Sequence, residues 1–259
     1  MKIYTIEEFK AQGKDPEILF WVGCAGSFDP RAQKITHALA TILDKAGIDF
    51  AVLGNDEACT GDPARRSGNE FVFQMLALQN IEMLNMHNVK KIVTACPHCF
   101  NTLKNEYPAL GGSYDVVHHT KLIQELINDG RISIESGEFK GKKIAYHDSC
   151  YLGRINGIYE APRDVLKSLD ASIAEPRMNR KNGMCCGAGG AQVFKEEEKG
   201  SKKVSQERVE DLLSTGADII AVNCPYCTIM MDDGLKTIEK EDSVMVYDIS
   251  ELIVKTNNW

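Results

Sequence analysis

Five of the nine cysteines in this chain follow one another in the order C, CC, CxxC. Thirty-four residues separate Cys150 from the pair Cys185-Cys186, and thirty-seven separate that pair from the quartet Cys224-Pro225-Tyr226-Cys227. Two adjacent cysteines do not readily bond each other, and the glycines after the pair let the backbone approach whatever the sulfurs hold. This spacing therefore predicts a site that collects thiolates.

The other four cysteines repeat that order with one thiol missing. Thirty-four residues separate Cys24 from Cys59, and thirty-six separate Cys59 from the quartet Cys96-Pro97-His98-Cys99. Thr60 stands where the second cysteine of the pair would be. Equivalent cysteines of the two sets are offset by 126 residues at the first two positions and by 128 at the quartets. We therefore predict an internal duplication.

Three kinds of chemistry compete for cysteines at this spacing. Cysteines can be small buried hydrophobic residues, but the matched positions of all nine disfavour that explanation. Cys-Pro-His-Cys and Cys-Pro-Tyr-Cys are typical of thioredoxin-like disulfide oxidoreductases, yet a CxxC alone leaves the other five cysteines unexplained. Zinc takes four ligands, which the first set could supply. Iron–sulfur clusters also take thiolates, and five thiolates around one cluster indicate something other than a plain cubane.

Alternating strands and helices must position these cysteines. Apolar runs predict buried parallel strands at 18–23, 49–53, 91–95, 116–117, 143–148, 171–174, 218–223 and 244–247. Helical periodicity and capping signals predict helices at 5–11, 31–46, 69–87, 97–107, 120–129, 162–169, 196–215, 225–238 and 249–255. Cys59 falls in a polar loop.

The two halves show the same succession of elements, which indicates an α/β fold. We predict two duplicated βαβ-rich units, residues 1–135 and 136–259, with parallel sheets related by a pseudo-twofold axis. In open parallel sheets, ligands bind beyond the carboxyl ends of the strands. Cysteines follow the predicted strand ends in both halves, so each half should gather its thiols at one edge of its sheet.

Charge and composition exclude several classes of function. The net charge of -7 argues against nucleic acid as a partner. No stretch approaches the roughly eighteen uninterrupted apolar residues of a membrane span, and the first residues have no apolar signal segment. We expect a cytoplasmic protein, a setting in which clustered cysteines more often bind metal or carry redox chemistry than form structural disulfides.

The chain resembles the cysteine-rich CCG-domain family, which includes the B-type component of heterodisulfide reductase and the iron–sulfur subunits of glycolate and lactate oxidation. The resemblance rests on the motifs Cys59-Thr60-Gly61-Asp62-Pro63-Ala64-Arg65-Arg66, Thr94-Ala95-Cys96-Pro97-His98-Cys99, His147-Asp148-Ser149-Cys150-Tyr151-Leu152-Gly153-Arg154 and Cys185-Cys186-Gly187. It implies that the second set holds a non-cubane [4Fe–4S] cluster through Cys150, Cys185, Cys186, Cys224 and Cys227. The metal ligands of the first set would be Cys24, Cys59, Cys96 and Cys99. Because of Thr60, this set would hold a second [4Fe–4S] cluster or zinc.

The same resemblance implies an iron–sulfur oxidoreductase within a multi-subunit complex, similar to the B-type component of heterodisulfide reductase. Such a component reduces a disulfide-like substrate or relays electrons. The chain has no ferredoxin cysteine run of its own, so electrons would arrive from a ferredoxin-like subunit with two clusters, or from a flavoprotein. The alternatives are a zinc-bearing interaction module and a CxxC dithiol oxidoreductase.

Two further residues are candidates for a catalytic role. His147 lies in the strand before Cys150, where it could bond to a sulfur or donate a proton. Arg154 follows the same cysteine and, like Arg65, could pair with an anionic cluster or a substrate carboxylate, or form a surface ion pair. His98 could also tune a cluster, or it could be an exposed turn residue.

Overall fold

The computed structural model describes residues 1–135, 137–196 and 200–259. Its strands are β1 (Ile18–Trp21), β2 (Phe50–Ala51), β3 (Lys91–Thr94), β4 (Asp115–His118), β5 (Lys143–Tyr146), β6 (Ser172–Ala174), β7 (Ile219–Val222) and β8 (Met245–Asp248). They form two four-stranded sheets with the orders β2-β1-β3-β4 and β6-β5-β7-β8. Every neighbouring pair is parallel. The prediction of an α/β fold with two duplicated units is therefore confirmed.

The helices cover the sheets and follow the capping signals of the sequence. They are α1 (Ile6–Ala11), α2 (Gly23–Phe28), α3 (Pro30–Lys45), α4 (Asp62–Arg66), α5 (Glu70–Met86), α6 (Pro97–Asn101), α7 (His119–Asn128), α8 (Glu160–Lys167), α9 (Val204–Leu213), α10 (Pro225–Thr237) and α11 (Ile249–Thr256). Thr5 and Glu8 form the capping box of α1. Asp29 caps α3, which begins at Pro30, and Asn69 caps α5.

One hydrophobic core joins the two halves. It contains Phe20 and Leu39 from the first half, and Ile144 and Leu252 from the second. Two smaller clusters fill the space on the far side of each sheet. The carboxyl ends of the central strands β1, β3, β5 and β7 are thereby held in a fixed relation. The domain boundary at residues 135 and 136, and the pseudo-twofold axis, remain predictions.

The structure corrects three of the sequence predictions. The segment after Cys59 is not only a polar loop, because α4 begins directly after Gly61. The helix predicted at 196–215 begins at Val204, since residues 200–203 are not helical and Lys203 has extended backbone angles; residues 197–199 lie outside the described part of the chain. The helix predicted at 97–107 continues beyond α6 as a π-helical turn, Thr102–Glu106.

Candidate metal centre

The cysteines gather where the central strands end. Cys96 and Cys224 are the N-cap residues of α6 and α10, two residues after the ends of β3 and β7. Cys24 lies in α2, three residues beyond the end of β1. Cys150 precedes a π-helical turn, Tyr151–Ile155, that follows β5. The rule that ligands bind beyond the carboxyl ends of parallel strands thus locates four of the nine thiols.

The structure brings the second set of cysteines together. Cys186 Sγ lies 3.5 Å from Cys227 Sγ, and Ser149 Oγ lies 3.4 Å from the same Cys227 sulfur. The thiols of Cys150 and Cys186 lie near that of Cys185 and lower its pKa. Cys186, Cys224 and Cys227 are buried, whereas Cys150 and Cys185 are half-buried. Five sulfurs therefore share one largely enclosed site.

The first set has the same arrangement with a hydroxyl in place of one sulfur. The thiol of Cys59 lies near that of Cys24 and lowers its pKa, and Cys99 does the same for Cys96. Thr60 is buried, and its Oγ1 lies 3.9 Å from Cys99 Sγ. That contact matches the one between Cys186 and Cys227 at the equivalent positions of the second set. The first site consequently offers four thiols and one neutral hydroxyl.

A glycine shapes each of the two loops that carry the central cysteines. Gly61 and Gly187 have φ values of 87° and 99°, a region that favours glycine. In this conformation the N–H of Gly61 donates to Cys59 Sγ at 3.4 Å, and that of Gly187 donates to Cys185 Sγ at 3.3 Å. Each N–H favours a thiolate over a thiol, because a hydrogen bond to the charged form stabilises it.

The two sites are in direct contact. The thiols of Cys96 in the first set and Cys224 in the second are close enough to shift each other's pKa, which is lowered for Cys96 by this interaction and raised for Cys224. Tyr226 belongs to the second quartet, yet its hydroxyl lies 3.0 Å from Cys24 Sγ of the first set. The two cysteine-bearing edges therefore face each other across the junction of the two halves. The sequence predicted one edge for each sheet but not their meeting.

Hydrogen bonds between thiols divide the cysteines by acidity. The pKa of Cys24 is lowered to about 6, chiefly by its hydrogen bond with Cys59. Hydrogen bonds from other cysteines also lower the pKa values of Cys96 and Cys185. The partner thiols show the opposite effect. Their pKa values are raised, and the largest cause is the hydrogen bond with Cys24, Cys96 or Cys185; these partners are Cys59, Cys99, Cys150 and Cys186. Full ionisation of either set thus requires added positive charge, which a bound metal supplies.

His147 lies against the second set in a fixed tautomer. Its Nδ1 accepts a hydrogen bond of 2.9 Å from Arg208 Nε, so the proton of the neutral ring is on Nε2. Burial, and then the charge of Arg208, hold the pKa of His147 well below its usual value. One of the ring nitrogens of His147 lies within 4.8 Å of the sulfurs of Cys186 and Cys227. The ring therefore has an N–H to offer near these sulfurs.

Two buried nitrogens beside this site lack hydrogen-bond partners among the described residues: Nε2 of His147 and Nη2 of Arg208. The other guanidinium nitrogens of Arg208 are used, because Nη1 donates to Met178 O at 2.7 Å and to Asp211 at 2.8 Å. Buried donors normally have acceptors. Sulfur-rich anionic groups are suitable acceptors, so the site fits an iron–sulfur cluster. Arg208 was missed in the sequence, since no spacing connects it with a cysteine.

Arg154 and a buried ion cluster fasten the loop that leads to Cys185. Arg154 Nη1 donates to Gly183 O at 2.5 Å. Arg163 donates two hydrogen bonds of 2.8 Å to the carboxylate of Asp148. Asp148 also accepts from the backbone N–H of Arg180 at 2.7 Å. The strand end before Cys150 and the loop before Cys185 are thereby tied together.

The remaining charged candidates have protein partners. Arg65 pairs with Glu106 at 2.9 Å and with Glu70 at 3.3 Å, in line with the ion-pair alternative. His98 is not an exposed turn residue, because it is buried and its Nδ1 lies 2.9 Å from Asp62. Burial opposes protonation of His98, but the hydrogen bond with Asp62 and nearby thiolate charge raise its pKa overall.

A cavity of about 620 Å³ opens beside the first set. Its lining includes Cys24, Cys59, Gln33 and His37. The first site is therefore reachable from the surface on this side. Glu57 also lines this cavity, and its carboxylate accepts hydrogen bonds from the backbone N–H groups of Val22 and Gly23. Burial raises the pKa of Glu57 to about 7.

Fold and site together define a class: a duplicated α/β protein whose facing sheet edges assemble two thiol-rich sites. The chain belongs to the cysteine-rich (CCG) domain family, whose model matches residues 18–104 and 144–232. The first match contains all four cysteines of the first set, and the second contains all five of the second set. The resemblance inferred from the motifs is therefore confirmed.

Three relatives extend this comparison. The chain is 44% identical over 98% of its length to the probable iron-sulfur-binding oxidoreductase FadF of Bacillus subtilis (strain 168), of which it covers 36%. It is 43% identical over 94% of its length to the EtfAB:quinone oxidoreductase of Syntrophomonas wolfei, of which it covers 35%. It is 33% identical over 92% of its length to one subunit of the dihydromethanophenazine:CoB–CoM heterodisulfide reductase of Methanosarcina barkeri, of which it covers 58%.

The chain thus spans about a third of the first two relatives and somewhat more than half of the third. The rest of each relative lies outside the match. Across the described ranges, no helix has both the length and the apolar character needed to cross a membrane.

Proposed function

We propose that this chain is an iron–sulfur oxidoreductase module that passes electrons between its two cysteine sites. The observation that carries the proposal is the contact between the sites, where the hydroxyl of Tyr226, from the quartet of one set, lies 3.0 Å from Cys24 Sγ of the other. Two isolated structural metal sites would have no need of such contact. The names of the relatives, which include an iron-sulfur-binding oxidoreductase and a component of a heterodisulfide reductase, support the same conclusion.

The proposed ligands are the nine cysteines. The five of the second set suit a non-cubane [4Fe–4S] cluster, and the four of the first suit a second [4Fe–4S] cluster or zinc. Bound clusters would supply one-electron transfer, which thiols alone do not carry out reversibly. Thr60 keeps the first site at four good ligands, since a buried hydroxyl is far less readily deprotonated than a thiol.

The second site is the proposed place for a disulfide-like substrate. A ring nitrogen of His147 lies within 4.8 Å of the sulfurs of Cys186 and Cys227, and the ring carries its proton on Nε2 because Nδ1 accepts from Arg208, so His147 can donate to a sulfur that gains negative charge. Arg208 holds the ring in this tautomer. Arg154 acts through Gly183 and positions the loop that carries Cys185. We therefore assign His147 as the candidate catalytic residue, and Arg154 and Arg208 as residues that position the site.

The proposed partner is an electron donor, either a ferredoxin-like polypeptide with two clusters or a flavoprotein. The chain matches only about a third of two relatives, one of which is named as an EtfAB:quinone oxidoreductase. The donor can therefore be a further part of the same protein or a separate polypeptide. Untagged pull-down from the native host, performed without oxygen, should return the donor with the chain. Full activity of the isolated chain with a soluble donor would contradict this assignment.

Metal analysis of anaerobically purified protein tests the function. We expect iron and acid-labile sulfide in equal amounts, and two distinguishable components in the Mössbauer spectrum. Cys186→Ser should remove the second-site component, and Cys59→Ser should remove the first. A colourless protein that carries only zinc after anaerobic reconstitution would favour the interaction module. Zinc in the first site with iron in the second would refute the relay and leave the oxidoreductase assignment of the second site.

A further inference from the structure

The third residue of each cysteine quartet reaches into the opposite half. Tyr226 stands between two cysteines of the second set, but its hydroxyl lies 3.0 Å from Cys24 Sγ of the first. His98 holds the equivalent position in the first quartet and stacks on Tyr151, next to Cys150, with ring centroids 4.1 Å apart. Each quartet therefore contributes one side chain that contacts the other half of the protein.

The position of the Tyr226 ring is built into the junction. His98 packs edge-on against it at 5.9 Å between centroids, and Phe194 does so at 6.0 Å. Tyr226 is the second residue of α10, two positions after the N-cap Cys224. Aromatic neighbours and a helical backbone thus hold the hydroxyl against Cys24.

The direction of the hydrogen bond follows from the role of Cys24. A cysteine that binds a metal does so as a thiolate, which has no proton to donate. The phenolic O–H must then be the donor and the sulfur the acceptor. Hydrogen bonds to ligand sulfurs are among the factors that set cluster potentials. They stabilise the reduced form more than the oxidised form, because the reduced cluster carries more negative charge.

We propose that Tyr226, although encoded within the motif of the second site, is a positioning residue of the first: its hydroxyl donates to the Cys24 thiolate and raises the reduction potential of the cluster held there. This inference rests on the proposed function, in that the first site must hold a redox-active cluster. It makes the first site a better electron acceptor than its four thiolates alone would be. Removal of the Tyr226 hydroxyl should therefore change the reduction potential of the first site, although Tyr226 lies between two cysteines of the second.

Tyr226→Phe tests the proposal, because it removes one oxygen and keeps the ring. Both clusters are titrated anaerobically by electron paramagnetic resonance, with the second-site signal assigned by its loss in Cys186→Ser. At the wild-type midpoint, the ratio of reduced to oxidised first-site cluster should fall by about threefold to tenfold; tenfold corresponds to about 59 mV for one electron. The second-site potential should stay unchanged.

The second-site signal is an internal control, since a mere disturbance of the quartet would move it first. Tyr114→Phe is the matched control variant: its hydroxyl bonds to Asn85 at 3.1 Å, and its loss should leave both potentials unchanged. An unshifted first-site potential, or a shift at the second site alone, overturns the proposal. Iron analysis of the wild type separates this failure from that of the proposed function. If the first site holds no iron, both the relay and this inference fall.

Discussion

Replacing Arg163 with methionine would remove a cation that the protein buries near the second site, where it pairs with Asp148. Arg163 is 2% exposed. It donates two hydrogen bonds of 2.8 Å to Asp148, and two more, of 2.6 and 2.9 Å, to Glu175. In the variant, the buried Asp148 carboxylate would keep the backbone N–H of Arg180. Methionine fills much of the same volume, so the main effect is a buried charge without its partner.

The expected loss of stability is large. Removing one partner of a buried ion pair costs about 3–5 kcal/mol. Glu175 adds little, because its side chain is 37% exposed and can be solvated. For a chain of this size, 1 kcal/mol shifts the melting temperature by roughly 2–4 °C. The variant should therefore melt about 6–20 °C below the wild type.

Circular dichroism of anaerobically prepared protein, compared at equal iron content, measures this shift. Arg180→Met is the matched control, because the Arg180 side chain pairs with Glu160 at the surface and the two are 43% and 59% exposed. Loss of this surface ion pair should lower the free energy of unfolding by less than about 1 kcal/mol. The backbone N–H of residue 180 still donates to Asp148 in this variant. Adding Asp148→Asn to Arg163→Met should recover part of the loss. A single variant that melts within about 2 °C of the wild type, on the same scale, would refute the reasoning.

Three further predictions concern the two sites and their surroundings. Thr60→Cys should move the first-site Mössbauer component towards that of the second site, because the new thiol takes the place that Cys186 has there; an unchanged spectrum contradicts this. Arg208→Met should alter the second-site component alone, since His147 would lose the donor that fixes its tautomer, and a change confined to the first site would exclude this role. Burial holds the pKa of His118 well below its usual value, so its folded pKa lies below its unfolded value of about 6.5. The stability that neutral His118 contributes is present above pH 6.5 and is lost as the pH falls. Below that pH, the melting temperature of His118→Asn should therefore decline less steeply than that of the wild type. Parallel plots of melting temperature against pH for the two proteins would contradict this role.

Sequence alone determined the duplication, the parallel sheets and the two sets of thiols. The strands and the places of the thiols follow from short-range patterns: an apolar run forms a buried strand, and a cysteine just after it must lie at the sheet edge. The duplication, and Thr60 as the position where the two sets differ, follow instead from alignment of the two cysteine sets along the chain. The assignment of the cysteines as metal ligands remains a proposal.

Only the tertiary structure decided how the two sites relate and what surrounds them. The pair of Tyr226 and Cys24 is separated by 202 residues of sequence, and the pair of Arg208 and His147 by 61. The periodicity of a strand or helix indicates which face of that element is buried, but not which side chains from other elements pack against that face. Those partners are selected when the two halves pack on their shared core, and packing depends on the combined shape of many distant side chains.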